Sequence, residues 1–159
     1  KLSFEAEQTQ SVNTIIFDND NLIGHNTDIG GFTKAIKSIN YKMKGKRIFI
    51  LGAGGVVPSI IYALHNMEAS EIIISNRTKQ KAENLIKKFN NLKILEWGSI
   101  PDFDVVINAT SLGLNNEVIN LDFSNIDIFG VQHPGIYREA NFWPIETNNR
   151  LNNISSKLT

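Results

Sequence analysis

The chain has 159 residues, room for one ordinary domain or for one domain and a piece of another. Apolar residues make up 42% and charged residues 20%, a globular balance, and the formal charge is zero with no basic stripe, which argues against nucleic acid or an anionic membrane as partner. The lack of cysteine excludes disulfides, thiolate metal sites and Cys nucleophiles, and His25, His65 and His133 show no metal spacing, so no metal is expected.

The chain opens on Lys1-Leu2-Ser3-Phe4 without an initiator Met, so it is expected to start inside a longer protein. Residues 13–17 are β-branched and apolar, and Asp18-Asn19-Asp20-Asn21 is a turn cluster. Residues 22–25 then form the return strand of a hairpin. Phe32, Ala35, Ile36 and Ile39 recur at helical spacing, with Thr27 or Asp28 as N-cap and an end near Asn40. Lys34, Lys37, Lys42, Lys44, Lys46 and Arg47 form the densest basic run and read as a solvated helix face and turn.

From residue 47 strands alternate with helices. Apolar runs at 47–51, 71–75, 92–95 and 104–109 predict strands, and amphipathic runs at 56–67 and 79–89 predict helices. Pro58 fits only the first turn of its helix, where no backbone N–H is needed. Such alternation implies a parallel sheet with right-handed crossovers. After about Ile126 the pattern dissolves into an Asn-rich stretch with Pro134 and Pro144. No apolar run approaches the roughly 20 residues that span a bilayer and no signal peptide is visible, so the cytoplasm is the expected location.

Gly52-Ala53-Gly54-Gly55-Val56 stands between a predicted strand and a predicted helix, the context that a dinucleotide-binding turn requires. The first glycine makes the tight turn, the second lets the backbone approach a pyrophosphate, and the helix N-terminus supplies free N–H groups. Val57 occupies the position where Gly or Ala is usual, which should push the helix slightly away from the strand. After the second strand, where an NAD site places a carboxylate on the ribose, this chain has Ser75-Asn76-Arg77-Thr78, with Lys81 one helical turn on. A guanidinium suits a 2′-phosphate, Asn76 and Thr78 add neutral hydrogen bonds, and the expected cofactor is NADP. Thr78 also reads as the cap of the helix that follows. Thr110 lies at the C-terminal end of a strand, where open α/β sheets bind ligands. The fold class is thus α/β, a Rossmann-type NAD(P)-binding parallel sheet.

Five motifs in order and spacing resemble shikimate dehydrogenases: Ser11-Val12-Asn13-Thr14; Gly24-His25-Asn26-Thr27-Asp28; Leu51-Gly52-Ala53-Gly54-Gly55; Ser75-Asn76-Arg77-Thr78 with Lys81-Ala82; and Ile107-Asn108-Ala109-Thr110-Ser111-Leu112-Gly113. The resemblance spans about residues 3–123. It implies an NADP-dependent oxidoreductase of aromatic amino-acid (chorismate) biosynthesis that interconverts 3-dehydroshikimate and shikimate. Quinate remains an alternative substrate, and a non-catalytic NADP-binding module or fragment an alternative reading. By position the resemblance makes Asn13 and Asp28 substrate contacts and Asp28 catalytic, beside a Lys that the family carries in a preceding domain. From the residues alone, Asp28 is a helix cap and Asn13 a turn residue. Residues 1–27 are then the remnant of a substrate-binding domain, 28–44 a connecting helix, 45–126 the NADP-binding domain and 127–159 an unmatched, irregular tail. The isolated chain is expected to be poorly active, and its state, monomer or homodimer, is left open.

Overall fold

The computed structural model describes residues 1–111 and 127–130; side chains of the latter four are outside the description. A short helix, α1 (Phe4–Thr9), precedes the hairpin of β1 (Thr14–Asp18) and β2 (Asn21–His25). Then come α2 (Asp28–Ser38), β3 (Arg47–Leu51), α3 (Val57–Asn66), β4 (Glu71–Ser75), α4 (Lys79–Ile86), β5 (Leu92–Leu95), β6 (Val105–Asn108) and β7 (Asp127–Gly130).

The hairpin pairs Thr14 with His25 and Asp18 with Asn21, and its turn places Asn19 and Asp20 at φ 42° and 64°. Asn and Asp tolerate that left-handed backbone better than other side chains. The second sheet has the order β5-β4-β3-β6-β7, every pair parallel. The chain adds strands outward from β3 in one direction and then crosses over to the other side. The reversal point lies between β3 and β6, and in open α/β sheets ligands bind at the carboxyl ends of the strands there.

The pleat sorts the apolar runs. Ile48, Ile50, Ile72, Ile74, Val105 and Ile107 share one face with Ile29, Phe32 and Ile36 of α2, Val57, Ile60, Ile61 and Leu64 of α3, and Ala82 and Leu85 of α4. Phe49, Leu51, Ile73 and Val106 alternate onto the other face with Phe103, whose ring centroid lies 5.4 Å from that of Phe49. Both faces being buried explains why these strands read as unbroken apolar runs.

Three elements differ from the sequence reading. Helix α1 lacks a long apolar period; it forms because Ser3 Oγ accepts from Ala6 N (3.3 Å) and Ala6 is fully buried. Residues 127–130, assigned to the irregular tail, pair with β6 instead, from Val105–Asp127 to Asn108–Gly130, so the sheet passes the boundary drawn at 126. A four-residue edge strand is too short for periodicity to reveal. Finally, neither Thr27 nor Asp28 caps α2 with its side chain: Asn26 Oδ1 accepts from Asp28 N (3.0 Å) and Ile29 N (3.4 Å). No helix among the described residues is long and apolar enough to cross a membrane. The motif residues Leu112 and Gly113, and the segment 131–159, lie outside the described residues.

Candidate dinucleotide and substrate site

The glycine turn sits at the reversal point. Gly52 N donates to Ser75 O (2.8 Å), and Ala109 N donates to Leu51 O (2.8 Å), so the ends of β3, β4 and β6 converge on it. Gly52 has φ +108°, and a Cβ there would lie 2.7 Å from Ala109 O, so only glycine fits. Around Gly55 a Cβ would meet nothing within 4 Å, and Gly54 would be only 3.9 Å from Ala109 O, so that side of the turn is open.

Helix α3 starts without a side-chain cap, with Val57 and Pro58 in its first turn. The N–H groups of Ala53, Gly54, Gly55 and Val56 find no acceptor among the described residues. Four amide donors beside an open space and the positive end of a helix dipole suit a pyrophosphate. Val57 is fully buried in the core.

On the β4 side, Leu51 pairs with Ser75, and Asn76, Arg77 and Thr78 follow directly beside the turn. Arg77 and Lys81 are exposed, and their side chains have no hydrogen bond or ion pair among the described residues. Thr78 takes the cap position of α4 but makes no side-chain cap bond, which leaves its hydroxyl available. Asn76 Nδ2 donates to Thr78 O (2.7 Å), so part of its carboxamide shapes the loop. No carboxylate stands between Ser75 and Lys81. On the β6 side, Thr110 N (3.0 Å) and Oγ1 (2.7 Å) both donate to Asn108 Oδ1, which pins the residue against Gly52.

The two residues expected at the substrate are brought together. Asn13 N donates to His25 O (3.1 Å), and its Oδ1 accepts from Thr27 N (3.0 Å), Thr27 Oγ1 (3.1 Å) and Thr14 Oγ1 (3.0 Å). Its Nδ2 has no acceptor among the described residues, and the Asp28 carboxylate has no hydrogen-bond or ion-pair partner there. Two contacts tie this segment to the turn: Ser11 Oγ donates to Gly55 O (3.4 Å) and Asn26 Nδ2 to Ser59 Oγ (2.9 Å). Sequence reading gave Ser11, Asn26 and Ser59 no site role. The signal for Asn26 was its place just before α2, since Asn is a favoured capping residue; the contact with Ser59 crosses 33 positions and has no local signature.

Two concavities lie elsewhere. One of about 440 Å³ is lined by Gln8, Tyr62, His65, Lys88 and Phe89, and one of about 570 Å³ by Arg47, Glu71 and Lys93. Arg47, Glu71 and Lys93 belong to the amino ends of β3, β4 and β5, the wrong end of the sheet for the glycine turn. There Asp104 accepts from Arg47 N (2.8 Å), Nε (3.4 Å) and Nη2 (3.2 Å), and those bonds hold its carboxyl below the ordinary value. Lys93 pairs with Glu71 at the same edge. These charges stitch strand starts together. The turn at the carboxyl ends fits a dinucleotide better because its amides find no acceptor among the described residues and its backbone is open.

The model of the shikimate / quinate 5-dehydrogenase family matches residues 34–120. A shikimate dehydrogenase (NADP(+)) of Pelagibacter ubique is 44% identical over 148 residues, 93% of this chain and 54% of that protein. That alignment necessarily enters residues 127–159, the part that shows no motif match. The crystal structure of shikimate dehydrogenase from Aquifex aeolicus has a TM-score of 0.70 at 33% identity, covering 81% of this chain and 50% of that one. Shikimate 5-dehydrogenase of Thermus thermophilus, solved in complex with NADP(H) and shikimate, has a TM-score of 0.63 at 33% identity, covering 71% and 42%. The chain spans about half the length of the curated relatives it matches. With a Rossmann-type sheet and its glycine turn on one side, and a family match over most of that sheet on the other, this chain belongs to the shikimate/quinate 5-dehydrogenase family.

Proposed function

We propose that this chain carries the NADP-binding part and one wall of the substrate site of a dehydrogenase that interconverts 3-dehydroshikimate and shikimate. The observation that carries the reading is the amide-lined turn beside Arg77, whose side chain has no partner among the described residues, with no carboxylate in the loop after β4. The amides of residues 53–56 take the pyrophosphate. Arg77 offers planar, charge-assisted donors to a 2′-phosphate, helped by Lys81 and the Thr78 hydroxyl. Thr110, pinned at the end of β6, borders the same crevice.

Reducing a ketone to an alcohol needs a hydride and a proton. A nicotinamide cofactor bound at the turn would supply the hydride. Asn13, its Oδ1 already committed to Thr27, uses its Nδ2, which has no acceptor among the described residues, to donate to a substrate hydroxyl. The Asp28 carboxylate, without a protein partner among the described residues, accepts a hydrogen bond from the reacting hydroxyl of the alcohol and so holds that proton at the carbon where hydride is exchanged.

Replacing Arg77 by Asp tests the cofactor assignment. The loss of a charge-assisted bond and the gain of a repulsion should weaken NADP binding by roughly 2 kcal/mol, about 30-fold, and leave NAD binding nearly unchanged. An unchanged NADP/NAD ratio in a fluorescence titration counts against Arg77. A flat NADPH titration of the unaltered chain counts against the whole reading, and saturable binding without turnover identifies a binding module.

A further inference from the structure

Asn26 is 2% exposed, and its carboxamide touches four separate parts of the chain. Nδ2 donates to Ser59 Oγ in the first turn of α3 (2.9 Å), to Ser11 O ahead of β1 (3.0 Å) and, more weakly, to Thr9 Oγ1 at the end of α1 (3.4 Å). Oδ1 accepts from the Asp28 and Ile29 amides that open α2. Ser59 and Thr9 are fully buried, and Thr9 Oγ1 donates onward to Glu5 O (2.8 Å). Among the described residues no buried side-chain polar atom lacks a partner.

Capping α2 needs only an acceptor, and Asp or Ser would serve equally. A primary amide does something a carboxylate or hydroxyl cannot: it accepts from a helix start and gives two N–H donors in the opposite direction. Here the donating arm reaches the helix that follows the glycine turn, and the accepting arm holds the backbone of Asp28. Ser11, whose carbonyl the same amide holds, contacts Gly55 through its hydroxyl. The path from Asp28 N to Asn26 to Ser59 is therefore two hydrogen bonds long and fully buried at its centre.

We infer that Asn26, through Ser59, is a positioning residue that sets Asp28 relative to the dinucleotide turn and transmits occupation of that turn to Asp28. The inference rests on the functional reading above for the identity of the two ends. The proton-handling carboxylate and the cofactor approach the substrate from different segments, and low-dielectric hydrogen bonds between those segments fix their separation better than exposed contacts do.

The test uses the chain itself, labelled for amide NMR and titrated with NADPH. In the unaltered chain, the Asp28 amide and the Asn26 side-chain signals should shift with the same midpoint as the amides of residues 54–56. In Ser59→Ala the glycine-turn midpoint should stay within about threefold, since that hydroxyl is turned to Asn26, while the Asp28 response drops by about half or more. A silent Asp28 beside a saturating turn, or an undiminished response in Ser59→Ala, overturns the inference. A second arm needs no nucleotide. Hydrogen exchange at Asp28 and Ile29 should quicken about fivefold in Ser59→Ala, the loss of one buried hydrogen bond, with Ile36 unchanged. Equal exchange overturns the inference even if NADPH fails to bind, whereas failed binding with quickened exchange indicts only the cofactor reading. Asn26→Asp, which keeps the acceptor and removes the donors, should behave like Ser59→Ala; behaviour like the unaltered chain would reduce Asn26 to a cap.

Discussion

Single glycines in one short turn have opposite duties. Gly52 is held by its backbone: φ +108° and a carbonyl 2.7 Å from any Cβ leave no room for a side chain. Gly52→Ala should therefore lower stability by about 2–4 kcal/mol, combining backbone strain and overpacking, as read from the urea midpoint. Gly55 has open space around its Cβ position, so Gly55→Ala should move stability by no more than about 1 kcal/mol. If that space is where the pyrophosphate lies, the same change should weaken NADPH about tenfold, or 1.4 kcal/mol. Full affinity in Gly55→Ala would show that ligand does not approach there. The glycine turn and Arg77 were legible from residue order, because a strand–turn–helix motif sets its residues next to one another, whereas the roles expected of Asn13 and Asp28 came only from the family resemblance. The role of Asn26 was not legible, because its partners Thr9, Ser11 and Ser59 lie on separate segments and are assembled only by packing.

Elements carry the acid response. Arg47 opens β3 and Asp104 immediately precedes β6; besides the side-chain bonds, Asp104 N donates to Arg47 O (2.9 Å). The Arg47 bonds hold the Asp104 carboxyl below its ordinary 3.8. A depressed carboxylate binds fewer protons folded than unfolded, so its contribution is complete above 3.8 and disappears as pH falls through the folded value. His65, near the end of α3, sits edge-on to Phe89 at 6.3 Å, and burial lowers its pKa from 6.5. The unfolded chain then takes up the proton first, and stability declines as pH drops below 6.5. Urea midpoints should accordingly fall on acidification in two stages. His65→Leu should remove the upper stage and Asp104→Asn the lower one; a profile that both variants leave unchanged would contradict this account. Both faces of the sheet being buried made β3, β4 and β6 readable as apolar runs, while α1 and β7 were too short to show a period.

At the scale of the molecule, the five-stranded sheet and the hairpin are unlike in support. Phe49, Ile50, Ile74 and Ile107 are fully buried, whereas Phe17 is 83% and Ile15 63% exposed. Two strands with little apolar cover are marginal in water, although Ser3 N donating to Gly24 O (2.8 Å) and Gly24 N to Lys1 O (2.8 Å) brace β2. Amides of β1 should exchange at least about 100-fold faster than those of β3, near 3 kcal/mol of local opening, measured by native-state hydrogen exchange. Matching rates would mean that the hairpin unfolds only with the sheet. The order of residues by itself determined the alternating strands and helices, the glycine turn and the choice of a guanidinium over a carboxylate, since each depends on neighbours within a few positions. Tertiary structure alone decided the strand order, the convergence of β3, β4 and β6 on one crevice, and the buried amide that joins Asp28 to α3. Those depend on which distant segments share a core, and hydrophobic burial, being non-directional, does not write that pairing into any local stretch of chain.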